Sequence, residues 1–266
     1  MKKFITENLR FTITVIDRAK DGKPLGCRNG HEPGDAYVCE YGCPMPTNGC
    51  GGFCSKTMAN LYRLKEVIYA RGDLRLLGYA DNGVIEFPCA DGIVWFRMEV
   101  TDLAEIRPLD ASYLSRYAGV IRAGFATVAR DFGLTKDNCP RHTSFITDER
   151  LAEKIRDGYY PYGYFVGDTL FGFVSLTDEG GGVYSMNNLS VLPEWRHFGC
   201  GKRLLDHCKD RVVEMGGNKI VIGIIEENGV LRDWYAANGF AHTGTERFEH
   251  MPFTVGHMEW KKSGDM

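Results

Sequence analysis

The chain has 266 residues, 44% of them apolar, and a formal net charge of −3. That apolar share is enough for folded cores, which sets disorder aside, and the charge gives no support to a broad nucleic-acid surface. No apolar run reaches the length of a membrane span, Met1–Arg10 lacks the long apolar core of a signal peptide, and the length suggests two domains.

Phe11, Ile13 and Val15 alternate as a strand. Cys27, His31, Cys39, Cys43, Cys50 and Cys54 then crowd together, with Cys89 further on. Zinc sites usually use Cys-x-x-Cys knuckles, whereas these intervals are Cys-x-x-x-His and Cys-x-x-x-Cys. The glycine-rich loop Pro46–Gly52 suits either a wrapped ion or an ordinary tight turn. Thiols without a ligand are the simpler reading, and bound zinc or iron is the alternative. The cysteine count is odd, and Cys200 and Cys208 fall in or beside a helix that should be packed, so reduced thiols in a cytoplasm are expected. Asp91–Val100 reads as a closing strand, which puts a boundary near residue 102 and domains at 1–101 and 102–266.

Ala104–Asp110 opens the second domain as a strand and turn. Tyr113, Tyr117, Val120, Ile121, Phe125 and Val128 share one helical face, and Asn138–Arg141 breaks it. A helix starts at Thr147 and ends near Gly158. Gly163–Leu176 reads as a hairpin turning at Gly167-Asp168, and Gly180–Gly182 makes the next turn. An apolar run then stops at Pro193, and Arg196-His197-Phe198-Gly199-Cys200-Gly201-Lys202 leads into a helix marked by Leu204, Leu205, Cys208, Val212 and Met215. Lys219–Ile225 is a buried-strand run; Glu226-Glu227-Asn228, a short helix through Tyr235, and Gly239-Phe240 follow. Phe253, Val255, His257 (or Met258) and Trp260 make the last strand.

A strand that enters a glycine turn before a helix leaves unpaired N–H groups at the positive end of the helix dipole, a seat for phosphate. Glycine lets the backbone approach the anion. The turn is not a dinucleotide fingerprint, because Leu204 stands where the third glycine would be. It is not a Walker loop either, because Arg203 follows Lys202 and no earlier glycine has the spacing.

The order strand, Arg-x-x-Gly-x-Gly, helix, strand, Asn228 and Tyr235-Ala-Ala-Asn-Gly-Phe240 resembles the GNAT superfamily of acyl-CoA-dependent N-acyltransferases, over about residues 103–262. The resemblance implies an α+β fold: a mixed, mostly antiparallel sheet with flanking helices, here preceded by a small cysteine-rich α+β domain. It implies acetyl-CoA as cosubstrate and direct attack by a primary amine of a small molecule or peptide. Tyr235 would be the general acid that protonates the departing thiolate. Leu189 and Val191 would offer main-chain groups to the pantetheine amides, with their side chains in the core. The backbone of His197, Phe198, Gly199, Cys200, Gly201 and Lys202 would hold phosphate, helped by the Arg196 side chain. Asn228 would bond the cofactor arm or else cap the following helix. Residues 184–190 offer no base, so Glu226 or Glu227 acting through water is one option and a solvated acidic turn the other. Expected partners are the amine acceptor and a second copy of the chain in a homodimer, without nucleic acid or membrane. The segment Gly26–Asp35 with Phe87–Gly92 resembles a small cysteine-containing domain family of unknown function. A non-catalytic acyl-CoA sensor, with a metal- or redox-responsive front module, is the alternative to an enzyme.

Overall fold

In the computed structural model, which describes residues 8–262 apart from 18, 21, 22, 25, 41, 71 and 110, the first strand is β1 (Leu9–Asp17). The signal-peptide reading of residues 1–7 and the turn residue Asp110 lie outside the described residues. Contacts divide the chain into two compact units, one ending at Ala104 and the other beginning at Glu105.

Phe11, Ile13 and Val15 point from β1 to one face and are buried, as the alternation requires. β1 pairs antiparallel with β2 (Ala36–Cys39) on one side; Met45–Pro46 extends that edge as β3. Helix α1 (Met58–Tyr69) lays Leu61 and Leu64 on the sheet, and β4 (Val84–Pro88) and β5 (Trp95–Asp102) complete the order β3-β2-β1-β5-β4. The closing strand thus starts later than Asp91, because Cys89–Gly92 forms a turn with Gly92 at φ +69°. Helix α1 has no counterpart in the sequence reading. Its apolar stripe is broken by Lys65, which is itself buried, with Nζ 3.7 Å from Cys39 Sγ and 5.0 Å from the Phe11 ring centre.

The cysteines of this unit serve different places. Cys39 is buried in the core and Cys43 is exposed. His31 is buried, with Nδ1 2.9 Å from the Tyr37 hydroxyl, and burial pulls its pKa down. The Pro46–Gly52 loop is a hydrogen-bonded turn: Thr47 N–H donates to the Ala36 carbonyl and Asn48 Nδ2 to the Gly34 carbonyl. Among the described residues no group of three His, Cys, Asp or Glu side chains is placed to hold a metal ion. The zinc or iron alternative therefore has no ligand set here.

The boundary falls just inside β6 (Ala104–Pro108), and the second unit continues with α2 (Leu114–Asp131) and α3 (Asp148–Arg156). The hairpin β7 (Tyr160–Val166) and β8 (Thr169–Gly180) turns at Gly167-Asp168, and β9 (Val183–Val191) follows the Gly180–Gly182 turn. Then come α4 (Cys200–Glu214), β10 (Lys219–Ile225), α5 (Gly229–Ala237), β11 (Ala241–Arg247) and β12 (Thr254–Lys261). The sheet order is β11-β12-β10-β9-β8-β7-β6, and the β9–β10 pair is parallel among antiparallel neighbours. This is the mixed, mostly antiparallel α+β architecture. β11 is an edge strand whose residues are nearly all exposed, so it carries no apolar alternation for a sequence reading to find.

The two large helices lie against opposite faces of β9, since alternate residues of a strand face opposite ways. A Cβ on Gly124 of α2 would sit 2.8 Å from Ser190 Cβ, whereas Gly201 of α4 lies against Val191. Glycine at 124 lets α2 settle closely onto the strand.

Candidate active site

β9 and β10 run together only briefly. Their register covers Val183↔Lys219, Tyr184↔Ile220 and Ser185↔Val221, whereas β9 stays paired to β8 as far as Gly172↔Val191. From Met186 onward β9 therefore has no ladder partner on its β10 side. A bulge marks the divergence: three steps on β9, Asn187 to Ser190, face two on β8, Phe173 to Ser175. Asn188 takes up the extra residue in the left-handed region (φ +56°), which asparagine tolerates better than most side chains. Asn188 Nδ2 and Ser190 Oγ are buried there without partners, whereas Asn188 Oδ1 lies 3.5 Å from Thr143 Oγ1. A buried polar atom without a partner is costly, so such atoms beside an open strand edge suit a polar ligand.

Beyond β9, Pro193–Trp195 makes one tight turn and the chain reverses through His197 (φ +67°) and Gly199 (φ +73°). Both His197 and Phe198 are exposed. Gly199 starts α4 with no side chain of its own to cap the helix. A Cβ on Gly201 would stand in ordinary contact with Trp234 and Val191, at 3.7 and 3.9 Å, so a methyl group fits there. Lys202 is drawn to Asp206, 2.5 Å away, and Cys200 is buried as a small packed residue.

The Arg196 side chain is engaged within the protein. Its guanidinium donates to the Gly124 carbonyl at 2.6 Å, to Thr127 Oγ1 at 2.9 Å and to the Val191 carbonyl at 3.4 Å. It is half-buried, and burial lowers its pKa. The side chain ties the turn to α2, whose contact lies too far back in the chain for spacing to reveal. The Val191 carbonyl already accepts from Arg196, and Leu189 lies on the stretch of β9 that β10 does not pair. Its side chain is half-buried rather than plain core, whereas Val191 is buried as expected.

Asn228 caps α5: its Oδ1 accepts the Leu231 N–H at 3.1 Å, which leaves the amide Nδ2 as its donor toward anything else. Trp234 packs beside the α4 start, and Tyr235 turns inward, 6% exposed, edge-on to Trp234 and Phe240. Burial, and secondarily Cys208, push the Tyr235 pKa up. Neither acidic candidate for the base is free. Glu226 is held between His242 Nε2 at 2.9 Å and Arg232 Nη1 at 2.8 Å, and the His242 hydrogen bond leads the effects that lower its pKa. Glu227 accepts the Thr254 N–H at 3.1 Å, and main-chain hydrogen bonds keep its carboxyl low. A carboxylate whose pKa is lowered is a poor proton acceptor near neutrality. Sequence reasoning missed Asn188, whose signal was an asparagine pair before Leu189, and Trp234, whose role needs the fold.

A family model described as an acetyltransferase (GNAT) domain matches residues 132–262. PaiA N-acetyltransferase from Thermoplasma acidophilum in complex with coenzyme A shares 23% identity at a TM-score of 0.50, covering 59% of this chain and 98% of that one. The ribosomal-protein-S18-alanine N-acetyltransferase from Escherichia coli aligns at 14% identity and a TM-score of 0.50, over 61% of this chain and 96% of its own. Identities this low speak for the fold. No curated protein sequence matches the chain. Among the described residues no helix is long and apolar enough to cross a membrane.

Proposed function

The carboxyl-terminal unit belongs to the GNAT acetyltransferase family, and from that premise we propose that the chain transfers an acetyl group from acetyl-CoA to a primary amine of a small molecule or peptide. The observation that carries the reading is the pairing of an open β9 edge with an uncapped α4 start. The donor set fits the cosubstrate. First-turn N–H groups from Cys200, Gly201 and Lys202, with the turn backbone at His197, Phe198 and Gly199, suit pyrophosphate. The main chain of Leu189 suits a pantetheine amide, as when a peptide joins a sheet edge. Asn228 Nδ2 is the side-chain donor available on the β10 side.

The thioester supplies an activated acyl group and a thiolate leaving group. Tyr235 holds a proton that can be given to that leaving group, and its raised pKa keeps the phenol protonated at neutral pH. Its burial supports this role in one respect only: a proton source screened from bulk water is preserved for the reacting centre. The free cysteines support a reducing compartment, and the cytoplasm is the proposed one. Release of coenzyme A thiol against a panel of amines tests the reading; no turnover with any amine, beside intact coenzyme A binding, would overturn it. The engagement of both Glu226 and Glu227 favours one second reading, a unit that binds acyl-CoA as a sensor without transferring it.

A further inference from the structure

The amino-terminal unit contains a cavity of about 200 Å³ on which three thiols open, those of Cys27, Cys54 and Cys89. All three are partly exposed. Each begins a tight turn: Gly30 N–H donates to the Cys27 carbonyl, Thr57 N–H to that of Cys54 and Gly92 N–H to that of Cys89, each at 3.0 Å. Cys89 differs in one respect. The Ile93 and Val94 N–H groups both point at its sulfur, at 3.3 Å each. Donors so placed fix the position of this sulfur at the cavity, and a thiolate is the form that attacks a disulfide.

A second, independent observation points to a ligand. Thr57 is fully buried and lines the cavity, yet its hydroxyl has no hydrogen-bond partner and does not cap α1. A polar group arriving in the cavity would satisfy it. The rim carries Arg28 and Lys56 against a single carboxylate, Asp91, so it favours a ligand with negative charge.

We propose that this cavity is a thiol–disulfide exchange site, in which Cys89 captures a carboxylate-bearing low-molecular-weight disulfide. The Cys89 thiolate attacks one sulfur of the disulfide, a new S–S bond forms, and the old one breaks. The departing thiolate takes up the proton that Cys89 released. A thiolate from Cys27 or Cys54 then attacks the Cys89 sulfur and expels the second small thiolate, which takes that cysteine's proton. Two protein thiols are thereby oxidised and one disulfide is reduced to two thiols. The inference concerns the amino-terminal unit and does not rest on the acyl-transfer reading.

The test is oxidised glutathione added to the reduced full-length protein, with modified cysteines mapped by peptide mass over time. Cys89 is expected to react well before exposed Cys43, appearing as a glutathione adduct or as a disulfide to Cys27 or Cys54. Cys89→Ser should abolish that early phase, whereas Cys43→Ser should leave it unchanged. Lys56→Gln, at an exposed site, should slow capture of oxidised glutathione severalfold and leave capture of cationic cystamine no slower. Reaction first at Cys43, an early phase that survives Cys89→Ser, or equal slowing for both disulfides would overturn the proposal.

Discussion

The helices of the carboxyl-terminal unit begin in different ways, and the difference bears on the proposed anion seat. Thr147 caps α3 by accepting the Arg150 N–H, and Asp148 and Glu149 occupy the first turn, so that end is already supplied with acceptors and negative charge. Asn228 does the same for α5 through the Leu231 N–H. By contrast α4 starts on Gly199 at φ +73°, with no side-chain acceptor and no acidic residue in its first turn. Two helices close their own donors. The glycine start of α4 supplies no such cap and lies beside the strand edge that β10 does not cover, whereas α2, also without a side-chain cap, runs on from the short turn before it.

The largest expected effect comes from filling that start. Gly201→Glu should abolish coenzyme A binding by calorimetry while the far-ultraviolet spectrum stays that of the folded protein. The added side chain brings bulk and negative charge to a site that has room for a methyl group. Gly201→Ala should bind nearly normally. Unchanged affinity in the Glu variant would take the α4 start out of the site.

Next in size is Tyr235→Phe, which keeps the ring packing against Trp234 and Phe240 and removes the proton. Turnover should fall on the order of 10²- to 10⁴-fold with acetyl-CoA affinity little changed. Full activity on a confirmed acceptor would sink the general-acid assignment. A matched loss of stability and affinity would mark the hydroxyl as structural.

Arg196 sharpens the comparison from the other side, because its guanidinium is held by the turn and by α2. Arg196→Met removes donors from the Gly124 carbonyl and Thr127, and should cost about 2 kcal/mol by denaturant unfolding. Affinity for coenzyme A should fall less than in Gly201→Glu. A large affinity loss without loss of stability would return the guanidinium to the phosphate.

Asn228 divides cap from ligand contact. Asn228→Ala should cost about 1 kcal/mol, whereas Asn228→Ser keeps a capping oxygen and should cost less. Both lose the amide donor, so both should weaken coenzyme A binding severalfold if Nδ2 touches it. Normal binding in the Ser variant would confine Asn228 to capping.

The smallest effect is at Glu226, whose folded-state pKa is lowered, chiefly by His242. A lowered carboxylate adds stability above its unfolded pKa, and that contribution is lost as pH falls through the folded value. Glu226→Gln should therefore lower stability slightly at neutral pH, change little below the folded pKa, and so flatten the acid limb of the stability curve. An unchanged acid limb would show that the His242 and Arg232 contacts carry no net stabilisation.

What the sequence showed follows from local rules. The α4 period, the glycine turn and the Lys219–Ile225 run are each set by neighbours within a few residues, and they were legible. The Arg196 contact spans 69 and 72 residues to Thr127 and Gly124, so no spacing could expose it. The bulge at Asn188 depends on how β9 pairs with β8, which is a property of the sheet. The end of the β9–β10 register is of the same kind, and it makes the opening. In the first unit, buried Lys65 hid the stripe of α1, because a charged residue at a core position reads as surface.

Backbone amide hydrogen exchange with and without coenzyme A tests the central claim most directly, because it reads the donors themselves. Residues 197–203 should gain protection on binding, with the α3 start unchanged and the α5 start affected only near Asn228. Protection that leaves residues 197–203 untouched would contradict the account.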